Sequence, residues 1–216
     1  KPTQHTVKEL RGLGIIPDIL VCRSENPLDT ETKSKLAAFC HVDEDAVVSA
    51  HDVSNLYQIP ISLHKQSVLR MVSNNLGFNI PNSLPMLDEW KEMADKVDML
   101  EDEVRIAMVG KYTGLSDSYL SVIKALQHSA FAVNRKLIID WIESTNLDPI
   151  ERTPMYDDAW TILKAADGIL VPGGFGNRGV EGKIAAANYA RVNNVPYLGV
   201  CLGLQIATIE FCRNVL

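Results

Sequence analysis

The second half of the sequence alternates short apolar runs with longer amphipathic segments, and this alternation constrains the fold more than any other feature. It predicts strands at 104–109, 136–142, 168–171 and 197–200, and helices at 116–131, 154–166, 180–193 and 202–215. Such alternation is typical of a doubly wound sheet of mostly parallel strands. Ligands and catalytic groups of such sheets lie at the carboxyl ends of the strands. The turns that follow these strands are therefore the places to search for a site.

The first half has the same α/β character but is less regular. We expect strands at 17–23 and 46–50 and a helix at 30–40. Thr6 and Glu9 have the spacing of a capping box, which predicts a helix from Thr6 to about Leu13. Asn, Gly and Pro residues interrupt the stretch after Ile61, and a charged helix at about 87–102 follows them. We therefore expect two α/β domains, at 1–60 and 104–216, joined by a linker at 61–103.

Composition excludes several classes of protein. Hydrophobic residues make up 46% and charged residues 22% of the chain, which argues against a disordered, coiled-coil or collagen-like protein. The net charge of −6 argues against a general nucleic-acid surface, and no apolar run reaches the roughly 18 residues of a membrane helix. Four scattered cysteines favour neither a disulfide scaffold nor a metal site, so we expect a reducing, cytoplasmic compartment.

Both ends of the sequence have unusual features. The chain starts at Lys1-Pro2 without Met and stops inside a predicted helix. We therefore interpret it as an internal part of a longer protein.

The strongest local signal is the sequence Gly199-Val200-Cys201-Leu202-Gly203, between a predicted strand and an apolar helix. This is the spacing of a nucleophile elbow, G-x-S-x-G, with Cys in place of Ser. Such a tight turn holds the side chain at a helix N-terminus, where the helix dipole favours a thiolate. We predict that Cys201 is a nucleophile and that the Leu202 N–H donates to an oxyanion. The alternative is that Cys201 is simply a small buried apolar residue.

A glycine-rich segment, PGGFGNRG at 172–179, follows another predicted strand. Gly174, Gly176 and Gly179 fit the dinucleotide-binding spacing, but no acidic residue ends the next strand, which disfavours NAD binding. Gly173 and Gly174 instead allow the backbone to approach a substrate closely. We predict that the Gly174 N–H is the second oxyanion donor; a plain surface turn is the alternative.

A third segment, Gly110-Lys111-Tyr112-Thr113, partly resembles a phosphate-binding loop. The upstream glycine of that motif would have to be at position 105, which is Arg105, so the motif fails. Lys111 and Tyr112 still fall at the carboxyl end of a strand, where they face either a ligand or solvent.

Taken together, these segments resemble a known family. GVCLGLQ at 199–205 resembles the nucleophile motif of class I (triad) glutamine amidotransferases. Its combination with 172–179 is similar to the CTP synthase family, and KPTQ at 1–4, GKY at 110–112, SDSY at 116–119 and VEGK at 180–183 agree. The implied fold is the C-terminal part of a P-loop-like synthetase domain followed by the N-terminal part of a glutamine amidotransferase domain.

The resemblance implies an ATP-dependent ligase of pyrimidine biosynthesis. The synthetase domain uses ATP and Mg²⁺ to phosphorylate the 4-oxygen of UTP, and ammonia from glutamine then displaces the phosphate to give CTP. GTP is implied as an activator and CTP as a feedback inhibitor, with no organic prosthetic group. Family members form homotetramers and several form filaments, and neither a nucleic acid nor a membrane is an expected partner.

The resemblance also assigns roles to residues by position. In the glutaminase half it implies Cys201 as the nucleophile, Gly174 and Leu202 as oxyanion donors beside Gly173, and Phe175 and Gln205 as residues of the glutamine pocket. The implied UTP- and CTP-binding residues are Lys1, Pro2, Thr3, Gln4, Lys35 and Phe39. Asp52 and Val53 are implied beside ATP, and Lys111, Tyr112 and Tyr119 in the response to GTP.

Some of the family's catalytic parts are not expected within these 216 residues. The Gly-rich phosphate loop, the Mg²⁺-binding acids and the His and Glu of the triad, in a His-Pro-Glu segment, are expected outside them. We therefore predict that residues 1–216 alone are inactive in both half-reactions, and detectable glutaminase activity would refute this.

Two other functions are kept as alternatives. One is a stand-alone Cys hydrolase of the glutaminase type, and the other is a non-catalytic nucleotide-sensing filament module. Replacement of Cys201 by Ala distinguishes these from a ligase, because only the ligase keeps ammonia-dependent CTP synthesis while losing the glutamine-dependent reaction.

Overall fold

The computed structural model describes residues 2–81, 84–111, 116–174 and 176–216, without the side chains of Ser116 and Asp117. The chain divides into two compact units, Lys1–Met99 (unit 1) and Leu100–Leu216 (unit 2). Both units contain parallel β-strands connected by helices, which confirms the α/β class. The more detailed division at 1–60, 61–103 and 104–216 stays a prediction.

Unit 1 is built around a pair of parallel strands. Its elements are α1 (Pro2–Gly12), β1 (Leu20–Ser24), α2 (Thr30–Cys40), β2 (Val47–His51), α3 (Gln58–Lys65), α4 (Val68–Leu76) and α5 (Pro85–Asp98). Leu20 of β1 lies opposite Val47 of β2, and both pack against Val7, Ala37 and Cys40 from the first two helices. The strand pair thus buries one apolar surface under α1 and α2.

Two features of unit 1 differ from the sequence expectation. Helix α1 begins at Pro2 instead of Thr6, so Thr6 lies within the helix and its hydroxyl donates to the Pro2 carbonyl at 3.1 Å instead of capping the helix. Helices α3 and α4 form although they contain Pro60, Asn74 and Asn75. Pro60 lies in the first turn of α3, where a missing N–H is tolerated, and Gly77, with φ 72°, ends α4.

Unit 2 follows the predicted alternation closely. Its elements are β3 (Glu103–Gly110), α6 (Leu120–Ala132), β4 (Lys136–Glu143), α7 (Tyr156–Ala165), β5 (Gly168–Val171), α8 (Val180–Asn193), β6 (Tyr197–Gly199) and α9 (Leu202–Asn214). Among the described residues the strand order is β4-β3-β5-β6, with every neighbouring pair parallel. This confirms the parallel sheet that the sequence predicts.

The order of the strands brings the predicted site together. The chain moves from β3 to β4 on one side and to β5 and β6 on the other, so β3 and β5 flank a topological switch point. Gly110 lies opposite Glu143, and Val171 lies opposite Gly199, so the carboxyl ends of the strands are level. The loops after β3, β5 and β6 therefore emerge at one edge of the sheet.

The core of unit 2 holds this edge in place. Buried strand residues such as Val109, Ile142 and Val171 pack with Leu163 of α7 and Ala186 of α8. Across the described residues, no helix is both long and apolar enough to cross a membrane.

Candidate active site

The backbone at Cys201 forms a strained turn between β6 and α9. Cys201 has φ 54° and ψ −105°, a conformation that side chains with a Cβ rarely adopt, and its thiol is exposed at the first turn of α9. The Val200 N–H donates to the Val171 carbonyl at 3.0 Å, and the Gly203 N–H donates to the Val200 carbonyl at 2.9 Å. These bonds hold Cys201 in a conformation that is often reserved for functional residues.

The two glycines of the motif are sterically required. A Cβ on Gly199 would lie 2.4 Å from the carbonyl oxygen of Gly203, and a Cβ on Gly203 would lie 2.1 Å from the carbonyl oxygen of Val171. Both distances are far below van der Waals contact. The elbow therefore needs glycine on both sides of Cys201 so that α9 can pack against the ends of β5 and β6.

The glycine-rich loop after β5 lies next to the cysteine. A Cβ on Gly173 would lie 3.9 Å from Cys201 Sγ, and a Cβ on Gly174 would lie 3.7 Å from Leu202 Cδ2. Among the described residues, the N–H groups of Gly174 and Leu202 donate to no backbone carbonyl. Two available donors thus flank the thiol, which is the arrangement that an oxyanion site requires.

Lys111 connects the end of β3 to the same loop. Its side chain is buried, and Nζ donates to the Gly176 carbonyl at 2.9 Å. Its backbone N–H donates to the hydroxyl oxygen of Tyr119 at 3.4 Å, and the Tyr119 ring lies 5.7 Å from that of Trp141. Lys111 and Tyr119 are therefore fixed at the switch point. Tyr112 and Phe175 lie outside the described residues.

A second lysine, Lys183, lies beneath the glycine-rich loop, and sequence analysis assigned it no role. Its side chain is 1% exposed, and its Nζ lies 3.9 Å from the position of a Cβ on Gly174. Burial lowers the pKa of the Lys183 amine, and nearby Lys111 lowers it further, while Glu143 opposes this. One sequence pattern is consistent with burial of Lys183. The apolar run Ile184-Ala185-Ala186-Ala187 follows it on a predicted helix.

Glu143 at the end of β4 completes this group of charges. It accepts a hydrogen bond from Arg178 at 2.9 Å, and its carboxylate also raises the pKa of Lys183. Among the described side chains, this one carboxylate therefore acts on two cations, Arg178 and Lys183.

The C-terminal part of α9 is fixed to α8 by a buried ion pair. Glu210 is 2% exposed and accepts hydrogen bonds from Arg191 at 2.8 and 2.9 Å and from Asn188 at 2.7 Å. The Arg191 guanidinium and its hydrogen bonds lower the pKa of Glu210. The pair orients the helix that begins at Cys201. Gln205, on the first turns of that helix, has an exposed side chain.

The predicted nucleotide-binding residues of unit 1 that the structure describes are exposed or half-buried. Pro2, Thr3 and Gln4 form the first turn of α1, and Lys1 lies outside the described residues. Lys35 is exposed on α2 and pairs with Glu31, and the Phe39 side chain is 65% exposed. Lys35 and Phe39 thus expose a cation and an aromatic ring on one helix, α2.

Asp52 and Val53 follow β2 directly, at the carboxyl end of the strand pair. Asp52 forms an ion pair with Arg23, and its N–H donates to the Glu25 carbonyl at 3.3 Å. A separate cavity of about 440 Å³ in unit 1 is lined by other residues, among them His64, Arg70 and Phe78. Among the described residues, no three His, Cys, Asp or Glu side chains cluster in a way that could hold a metal ion.

The comparison with protein families agrees with the fold and the elbow. Residues 114–216 match the family described as glutamine amidotransferase class-I, so the cysteine elbow of unit 2 lies within a domain of this class. Residues 1–78 match the family described as CTP synthase N-terminus.

Relatives that match the chain over its whole length define the family more narrowly. The chain is 50% identical to CTP synthase of Dictyostelium discoideum and 53% identical to CTP synthase 1 of Homo sapiens, and all of the chain is matched in both cases. This chain therefore belongs to the CTP synthase family. It spans 41% and 37% of the lengths of these two relatives.

Among solved structures, the chain is 50% identical to the glutaminase domain of Trypanosoma brucei CTPS with bound acivicin. The match covers 52% of this chain and 41% of that chain, with a TM-score of 0.46.

Proposed function

We propose that this protein makes CTP from UTP, ATP and glutamine, with Cys201 as the nucleophile that releases ammonia from glutamine. The observation that carries the proposal is the strained turn at Cys201, which presents an exposed thiol between the available N–H groups of Gly174 and Leu202. The membership of this chain in the CTP synthase family supports the choice of glutamine as the substrate.

The glutaminase step follows from this geometry. The thiolate of Cys201 forms a bond to the amide carbon of glutamine, and the electron pair of the C=O double bond moves onto oxygen. Donors at Gly174 and Leu202 stabilise that oxyanion. The C–N bond then breaks, nitrogen takes a proton from a general acid and ammonia leaves. Water attacks the resulting thioester, which releases glutamate and returns the thiol.

The general acid and base are expected in the His-Pro-Glu segment that the family resemblance implies. Unit 2 contains one histidine, His128, on α6, with its ring 6.4 Å from that of Phe131. No contact links His128 to Cys201 among the described residues. Phe175 and Gln205 are proposed to line the glutamine pocket.

The second half of the proposed reaction belongs to the synthetase part. ATP, with Mg²⁺, transfers a phosphoryl group to the 4-oxygen of UTP, and ammonia displaces that phosphate at carbon 4. We propose that Lys1, Pro2, Thr3, Gln4, Lys35 and Phe39 contact UTP or CTP and that Asp52 and Val53 lie beside ATP. Lys35 supplies the point charge that a phosphate group requires.

The finer points of the proposal concern regulation and assembly. GTP activates glutamine hydrolysis through Lys111, Tyr112 and Tyr119, and CTP inhibits by competing with UTP. The buried bond from Lys111 Nζ to Gly176 supports a link between that segment and the oxyanion loop. We further propose a cytoplasmic homotetramer that can form filaments.

The test is CTP formation by the full-length protein, with UTP, ATP and Mg²⁺ supplied and either glutamine or ammonium as nitrogen source. The proposal expects CTP from both sources. Glutamine hydrolysis without CTP from either source would instead favour a stand-alone hydrolase. The absence of both reactions would favour a nucleotide-sensing module.

A further inference from the structure

The side chain of Lys183 is buried next to the oxyanion loop. Its Nζ lies 3.9 Å from the Cβ position of Gly174, one of the two proposed oxyanion donors. It donates no hydrogen bond to a described residue, although its side chain is 1% exposed. Burial of a charged lysine side chain is costly, and a cost of this kind calls for a function.

Two more features make this position unfavourable for a cation. Lys183 lies near the N-terminus of α8, where the helix dipole is positive, and its N–H donates to the Gly179 carbonyl at 3.2 Å. Lys111 adds a second cation on the same side of the loop, and burial together with Lys111 lowers the pKa of Lys183. Among the described residues, only the Glu143 carboxylate raises the pKa of Lys183, and that carboxylate also pairs with Arg178.

These features concentrate positive potential at the loop that faces Cys201. The N-termini of α8 and α9 add to it. Among the described residues, Glu143 is the one carboxylate that raises the pKa of Lys183, and a further negative charge forms during the reaction, first on the thiolate and then on the oxygen of the adduct. In a site that excludes water, such a preorganised potential is strongly felt.

We propose that Lys183 is a positioning residue of the glutaminase site, whose ammonium under Gly174 stabilises the thiolate of Cys201 and the oxyanion of its adduct. This inference rests on the proposed function of Cys201. It adds a charged side chain to a site otherwise made of backbone donors.

The test compares Lys183→Met with Lys164→Met in the full-length protein. Lys164 is an exposed lysine of the same unit, so it controls for loss of a positive charge. We expect Lys183→Met to lower glutamine-dependent kcat about tenfold, less than the roughly 10²-fold or greater loss of a direct oxyanion donor. Ammonium-dependent CTP formation should stay within about twofold of the wild type, because that reaction does not use Cys201.

A second readout separates charge from structure. The rate at which iodoacetamide alkylates Cys201 is measured against pH, and we expect its midpoint to rise by about one unit in Lys183→Met and not in Lys164→Met. Thermal unfolding of Lys183→Met should not occur at lower temperature than in the wild type, because a buried charge has been removed. Lys183→Gln is the second uncharged variant.

The proposal is overturned if the alkylation midpoint is the same in the wild type and both uncharged variants. It is also overturned if ammonium-dependent and glutamine-dependent activities fall together in both, because Lys183 would then be a structural residue. A wild-type protein that makes no CTP from either source refutes the proposed function instead, and the alkylation comparison still decides the role of Lys183.

Discussion

At the scale of single residues, the elbow depends on the lack of a side chain at Gly199 and Gly203 as much as on the thiol of Cys201. Cys201 can hold φ 54° because its neighbours Gly199 and Gly203 leave room for the backbone of α9. The sequence motif made this predictable, since glycine on both sides of a nucleophile has a steric reason. It could not predict Lys183, because burial of a lysine depends on how α8 packs under a loop from another strand.

Gly203→Ala should destabilise the protein strongly. Its Cβ would lie 2.1 Å from the Val171 carbonyl oxygen, so α9 or β5 must move. We expect the free energy of unfolding to fall by about 3 kcal/mol or more, as measured by urea denaturation. Gly173→Ala is the control for stability, because its Cβ would meet nothing closer than 3.4 Å. Equal stability of the two variants would contradict the steric account of the elbow.

At the scale of elements, helices α8 and α9 are joined by two ion pairs that differ in burial. Glu210 and Arg191 form the buried pair, and Glu181 and Arg213 form an exposed one. The alternation of apolar runs predicted both helices nearly to the residue. The alternation did not predict the two ion pairs, because each pair joins a residue of α8 to a residue of α9. Such contacts depend on how the two helices cross.

Glu210→Gln should lower the free energy of unfolding by about 1 to 2 kcal/mol at neutral pH, because it weakens charged hydrogen bonds in a buried place. Glu181→Gln, on the same helix pair, should cost less than about 0.5 kcal/mol. Both are measured by chemical denaturation. Equal losses in the two variants would mean that burial does not strengthen the Glu210 pair.

The Glu210 contribution also has a defined pH dependence. Arg191 lowers the folded-state pKa of Glu210 below its ordinary value of 4.5. The stabilisation is therefore fully present above pH 4.5 and is lost as pH falls through the lower folded value. The difference in stability between the wild type and Glu210→Gln should shrink in that range. A difference that stayed constant down to acid unfolding would contradict this assignment.

At the scale of the whole molecule, the strand–helix alternation predicted the class of both units, while the segment between the predicted domains was harder to interpret. Asn and Pro residues there suggested breaks in regular structure, yet Asn74 and Asn75 lie in the last turn of α4 and Pro85 is the first residue of α5. Helix α5 is attached to unit 1, since Asp98 accepts hydrogen bonds at 2.7 Å from both Ser54 and Asn55, and Trp90 Nε1 donates to the Tyr57 carbonyl at 2.8 Å. Sequence patterns do not show such contacts between distant residues.

Limited proteolysis tests the boundary between the units. A glutamate-specific protease should cut first after Glu101, which is exposed between α5 and β3, and only later after Glu89 or Glu92 within α5. Mass spectrometry of the early fragments gives the order. Cleavage at Glu89 and Glu92 as fast as at Glu101 would favour a flexible linker throughout 61–103.

The central claim, that Cys201 takes ammonia from glutamine for CTP synthesis, is tested most directly with Cys201→Ala in the full-length protein. CTP formation is measured with glutamine and with ammonium, and Cys212→Ala, an exposed cysteine on the same helix, is the control. We predict that Cys201→Ala loses the glutamine-dependent reaction and keeps the ammonium-dependent one, while Cys212→Ala keeps both. Glutamine-dependent CTP formation by Cys201→Ala would contradict the account.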